Sequence, residues 1–144
     1  MPKSTSACNS ILALIFNATT WADIAEDDTT SPATNLYLSL HTADPGVGGA
    51  QTTNETTYTN YVRIAVARTT GGWDAPASGA TANAALAQFA QCGASGATLT
   101  HVAIGTGAAG AGLVLYAGAL SSSLAVANGI QPQFAAGALD VTEA

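Results

Sequence analysis

Two periodicities divide the chain. Ile11, Leu12, Ile15 and Phe16 recur at i, i+1, i+4 and i+5, which is one apolar face at the helical period. Ser6 precedes them and can accept a hydrogen bond from a free backbone N–H two or three residues on. The pattern predicts a helix over 6–17, with Trp21 and Ile24 on a following short turn. From Leu36 the period drops to two. Leu36, Leu38 and Leu40 alternate with Tyr37, Ser39 and His41, and Val62, Ile64 and Val66 alternate with Arg63, Ala65 and Ala67. Both runs read as half-buried strands. Asp44-Pro45-Gly46 closes the first with turn chemistry. Further short strands are predicted at 84–90, 98–104, 113–117, 123–127, 130–135 and 138–142, between Gly-rich turns. Asn128-Gly129 is a two-residue hairpin signal. The expectation is an all-β fold, an antiparallel β-sandwich with one short N-terminal helix. Residues 1–34 are expected to form a helical segment and linker, and 35–144 the sandwich domain.

Composition narrows the function classes. A length of 144 residues suits one domain. Only 8% of residues are charged, against about 25% in an ordinary soluble domain. Ala, Gly, Ser and Thr fill just over half of the chain. Such a surface loses little side-chain entropy when a partner orders it, and it has little charge to keep it from associating. Both properties suit a component of an assembly. Three basic residues against nine acidic ones leave a net charge of -6, which excludes the basic face that nucleic-acid binding needs. No apolar run approaches the roughly 18–20 residues of a membrane span, and no signal peptide is expected.

The candidate chemistry is sparse. Cys8 and Cys92 lack any metal-site spacing and read as small buried hydrophobes. Gly105-Thr-Gly107-Ala-Ala-Gly110 is a literal G-x-G-x-x-G, but no acid follows at the dinucleotide-binding distance and the next segment favours strand. It reads as a strand-to-strand turn. His41 and His101 are the only histidines. Both are expected on the wetter faces of their strands, with nothing in the sequence to bring them together. Asp23, Glu26, Asp27 and Asp28 read as a solvated turn rather than a metal loop. No enzyme, cofactor or metal is expected. The polar stretch from Val47 to Asn60 is long for a loop in a compact domain, and such loops are usually functional or ordered by a partner. Tyr58, Tyr61 and Trp73 flank the strand that carries Arg63 and Arg68, and Tyr, Trp and Arg dominate protein interfaces. The same side chains can equally close the ends of a core. These five, with Ile11, Leu12, Ile15, Phe16 and Trp21, are the candidate partner-interface residues.

A family resemblance runs through the second and third quarters and beyond. Leu36-Tyr-Leu-Ser-Leu-His-Thr-Ala-Asp-Pro-Gly46 resembles a pattern in small virion proteins of tailed bacteriophages. The order continues with Tyr58-x-x-Tyr61-x-Arg63, Val66-Ala67-Arg68, Trp73, Phe89-x-x-Cys92 and Thr100-His101-x-x-Ile104-Gly105-Thr106. It ends with Asn128-Gly129-Ile130-x-Pro132-x-Phe134-x-Ala136-Gly137. Proteins of this look are capsid cement, or decoration, proteins or are called tail-fibre proteins. The resemblance implies a jelly-roll-like sandwich made in the host cytoplasm and placed on the capsid outer surface. The implied partners are the major capsid protein and a second copy in a homodimer, with no nucleic acid and no membrane. A tail-fibre or host-adsorption role is the alternative.

Overall fold

A computed structural model describes residues 3–21 and 33–143. The acidic run Asp23 to Asp28 and Ile24 lie outside the described residues. In chain order the elements are α1 (Thr5–Asn17), β1 (Asn35–His41), β2 (Ile64–Ala67), β3 (Ala80–Ala82), β4 (Ala87–Gln88), β5 (Ala97–Gly105), β6 (Val114–Val126), β7 (Gln133–Phe134) and β8 (Asp140–Thr142). They form a four-stranded sheet in the order β2-β1-β5-β6 and two small pairs, β3-β8 and β4-β7. Among the described residues the class is all-β with one short N-terminal helix and no closed barrel, consistent with the expected antiparallel sandwich. Among the described residues no helix is long and apolar enough to cross a membrane. The chain gathers into two compact units. One holds Met1–Asn35, Val66–Ala87 and Phe134–Ala144, and the other holds Leu36–Ala65 and Gln88–Gln133.

The first unit carries the helix. α1 begins earlier than the apolar pattern predicts because Ser4, not Ser6, is its cap. Ser4 is extended (φ -72°, ψ 153°) and its Oγ accepts from the Ala7 N–H at 3.2 Å, which satisfies one of the free donors of the first turn. Ala18, left-handed at φ 50°, ends the helix. Its buried positions are Cys8, Leu12 and Phe16, spaced i, i+4, i+8. That stripe is narrower than the expected one, and Ile11 and Ile15 stay half-buried at its margin. Phe16 meets Trp73 edge to face, with ring centroids 4.6 Å apart, an arrangement that adds to the burial of both rings. β3 and β8 pair antiparallel with Thr81 opposite Val141. Asn83 ties this unit together. Its Nδ2 donates to the carbonyls of Ala85 (2.7 Å) and Ala135 (2.8 Å), and its Oδ1 accepts from the Leu139 N–H at 2.8 Å.

The second unit is built on β1. Leu36, Leu38 and Leu40 fill its core face and are essentially unexposed, each stabilising by about 1.5–3 kcal/mol. β1 pairs antiparallel with β5, from Tyr37 opposite Gly105 to His41 opposite His101. The half-buried reading of β1 fails at its C-terminal end, where Ser39 and His41, on the other face, are also fully buried. β6 is one strand of 13 residues, where the sequence predicts separate strands at 113–117 and 123–127. Residues 120–123 sit opposite Thr100 alone, so a bulge takes up the polar serine run without ending the strand. Asn128-Gly129 does turn, with the Ile130 N–H bonded to the Ala127 carbonyl at 2.9 Å and Gly129 at φ 86°. The chain then pairs with the Cys92 backbone rather than with β6, so the turn closes no hairpin. Cys8 and Cys92 are free and buried.

Candidate functional site

The long polar stretch is where the second unit concentrates its chemistry. The chain doubles back along the end of β1: the Thr56 N–H donates to the Leu40 carbonyl, the Thr42 N–H to the Asn54 carbonyl, and the Gln51 N–H to the Gly112 carbonyl. Asn54, at φ 55°, makes the tight turn that this return requires. The segment therefore has partners within its own chain. Its polar groups are what covers the second face of β1 and buries Ser39 and His41.

Those groups form a relay whose proton positions follow from what each atom can do. The Thr53 carbonyl only accepts, so His41 Nδ1 carries the proton that bonds it at 2.9 Å. His41 Nε2 is then the acceptor for the Ser39 hydroxyl, also at 2.9 Å. Gln51 Nε2 donates to Ser39 Oγ and to the Tyr37 carbonyl, and Gln51 Oε1 accepts from the Gly107 N–H at 2.8 Å. Burial, set against the Thr53 hydrogen bond, holds the His41 imidazole below its ordinary value and so favours this neutral form. Ser39 and His41 resemble a nucleophile and base by distance, yet both are fully buried and no substrate reaches the hydroxyl. His41 and His101 are cross-strand neighbours, a proximity invisible without the register.

The G-x-G-x-x-G segment is clamped rather than open. A Cβ on Gly105 would lie 2.3 Å from Gln51 Cδ, and one on Gly112 would lie 2.2 Å from Gln51 Oε1. The missing side chains make room for the Gln51 amide. Arg63 holds the same turn from its other side, with Nη1 donating to the Gly107 carbonyl and Nη2 to the Gly110 carbonyl, each at 2.8 Å. The carbonyls that a phosphate-binding loop would turn away from its ligand are here bound to a guanidinium.

Arg63 also forms a forked pair with Glu55, Nε to Oε1 and Nη2 to Oε2, both at 2.7 Å. The arginine side chain is 3% exposed and the glutamate 14%. Tyr61 donates to Glu55 Oε1 at 2.8 Å while its oxygen accepts from the Leu40 N–H. The Glu55 hydrogen bond raises the Arg63 guanidinium further above its usual value, and burial pushes the Tyr61 phenol up. Burial also pushes the Tyr58 phenol up to about 12, and its hydroxyl donates to the Ala90 carbonyl at 2.8 Å. Tyr58 and Tyr61 meet edge to face at 5.3 Å, and Tyr61 stacks on Phe89 at 6.1 Å. Beside this pair opens a cleft of about 450 Å³, lined by Thr52, Glu55, Thr56, Thr57, Tyr58, Asn60 and Tyr61.

The sequence-nominated residues separate between the units. Leu12, Phe16 and Trp73 are buried in the first, where Ile11, Ile15, Trp21 and Arg68 are half-buried. Arg68 donates to the carbonyls of Leu14, Ile15 and Ala33. Two of these belong to the last turn of α1, where carbonyls lack helical partners and a cation is favoured. In the second unit Tyr58 is buried, Tyr61 is half-buried, and Arg63 is half-buried as a whole residue while its side chain is enclosed. Sequence reasoning did not find Glu55, Gln51 or Thr56. No periodic signal marks them, since 51–57 reads Gln-Thr-Thr-Asn-Glu-Thr-Thr, polar throughout.

Fold and site define a small all-β protein whose polar side chains hold its own loops beside a tyrosine-walled cleft. Residues 2–142 match the family described as Podophage GP4 fiber I protein gp80. The chain belongs to that family and is a bacteriophage structural protein. No curated protein matches it.

Proposed function

We propose that this chain is a component of a podophage fibre rather than a capsid cement protein. The observation that carries the reading is the family match over residues 2–142, whose description names a fibre protein. The sequence resemblance put cement first and fibre second, and the family description favours the second. The Ala-, Gly- and Thr-rich, charge-poor composition suits either assembly. The cleft favours the fibre, since an adsorption organelle needs surfaces that recognise external ligands. Labelled antibodies against the folded chain, applied to purified virions and viewed by electron microscopy, test it. Label on the fibres is the expected result. Label distributed over the shell, with homodimers seated on the major capsid protein in a particle reconstruction, would return the assignment to capsid cement.

A further inference from the structure

We propose that the cleft lined by Thr52, Glu55, Thr56, Thr57, Tyr58, Asn60 and Tyr61 is a binding subsite for a neutral pyranose sugar. Three features of the wall carry this. Threonine hydroxyls, one carboxamide and two tyrosines, of which Tyr61 is the more exposed, make up most of it, which is the mixture that receives sugar hydroxyls on one side and ring C–H groups on the other. Thr56 is 2% exposed, and its hydroxyl has no hydrogen-bond partner in the protein. A buried polar group in that condition is unusual and calls for an explanation, and a ligand hydroxyl reached by rotation about χ1 supplies one. Asn60 stands at φ 78°, a conformation that asparagine tolerates. Its Nδ2 is held by the Gln91 carbonyl, which fixes the amide and leaves Oδ1 as an acceptor.

The charge pattern selects a neutral ligand. The one cation of the second unit, Arg63, is forked onto Glu55 and bound to two carbonyls, so this unit offers no uncommitted positive group to a phosphate or carboxylate. Glu55 and the net charge of -6 oppose an anion further. Glu55 is also the one carboxylate among the lining residues. Glycoside cleavage ordinarily needs two, so the cleft binds sugar without breaking it.

The assignment deepens the fibre reading and takes its biological setting from it, but the test is independent of virion location. The isolated chain is titrated with glucose, galactose, mannose and N-acetylglucosamine, with glucuronate as the anionic comparison, and amide shifts are followed by nuclear magnetic resonance. At least one neutral sugar is expected to shift amides of 52–61 with a dissociation constant of about 1–10 mM, and glucuronate is not. Thr56→Val keeps the side-chain shape and removes only the unpartnered hydroxyl. It is expected to weaken binding at least about tenfold with no loss of thermal stability. A purely structural threonine would leave the affinity unchanged. No shift of 52–61 with any neutral sugar, a preference for glucuronate, or unaltered affinity in Thr56→Val would each overturn the proposal. Fibre labelling that succeeds beside a failed titration would leave the fibre reading standing and remove the sugar site alone.

Discussion

The two compact units are both held by buried polar side chains, but of opposite kinds. In the first unit the hub is a neutral amide: Asn83 is 1% exposed and spends its three side-chain hydrogen bonds on the backbone. In the second the hub is ionic, with Glu55 and Arg63 paired and surrounded by Tyr61 and Gly-rich carbonyls. All four tyrosines and both histidines fall in the second unit, and both tryptophans fall in the first. A neutral hub is insensitive to pH and stiffens turns. An ionic hub can expose part of a carboxylate to a cleft while the arginine keeps that carboxylate oriented. The polar core that lines a surface is the charged one.

Cutting each hub should separate the two most sharply. Arg63→Met leaves Glu55 with little solvent and no cation, and frees the Gly107 and Gly110 carbonyls. Removing one partner of a buried ion pair costs about 3–5 kcal/mol, a large fraction of the ~5–15 kcal/mol total of a typical domain. Urea unfolding should show it, with amide protection lost first in 50–63 and 105–113. Restoring neutrality with Glu55→Gln in the same chain should recover part of the loss. Equal instability in the single and double variants would mean that the carbonyl contacts, not the buried charge, carry the cost.

The effect of Asn83→Leu is expected to be smaller, about 2–3 kcal/mol, because two carbonyls and one N–H lose neutral partners and no charge is stranded. Protection should fall around 83–85 and 135–139 while that of 50–63 stays near the wild-type value. A loss spread evenly over both regions would erase the distinction between the hubs.

How much of this could be read from the chain follows the same division. Local patterns were legible. The leucine alternation of β1, the β5 run and the helix were visible because each is a matter of period. The pairings of polar side chains were not. Gln51 and Gly105 are joined by steric room, Arg63 and Gly107 by a return of the chain, and His41 and His101 by register. None of these leaves a period. The Val47–Asn60 stretch looked like loop because its residues are polar, yet Gln51 and Thr56 are as buried as the leucines. Gln51 is buried on its side-chain hydrogen bonds and Thr56 on its backbone bond to the Leu40 carbonyl, not on apolarity, and composition does not carry that information. The helix start moved for a local reason, since several serines near the N-terminus offer the same chemistry and only the backbone at Ser4 is extended.

The smallest expected effect is the onset of alkaline unfolding, and it uses the uneven distribution of aromatic residues. Burial raises the phenols of Tyr58, to about 12, and of Tyr61, whereas an unfolded tyrosine titrates at about 10. Between these values the unfolded chain has released protons that the folded chain retains, so the stabilisation is complete below about pH 10 and declines as pH rises through the folded value. Half a unit above the ordinary value, each such tyrosine is expected to cost on the order of 1 kcal/mol. Only the second unit contains tyrosine, and tyrosinate absorbance reports on it. Tryptophan fluorescence reports on the first, through Trp21 and Trp73. In urea near that pH the absorbance midpoint should fall further than the fluorescence midpoint, and Tyr58→Phe should narrow the gap. Midpoints that move together would show that the units unfold as one, and the contrast between their hubs would then be a difference of chemistry without a difference of stability.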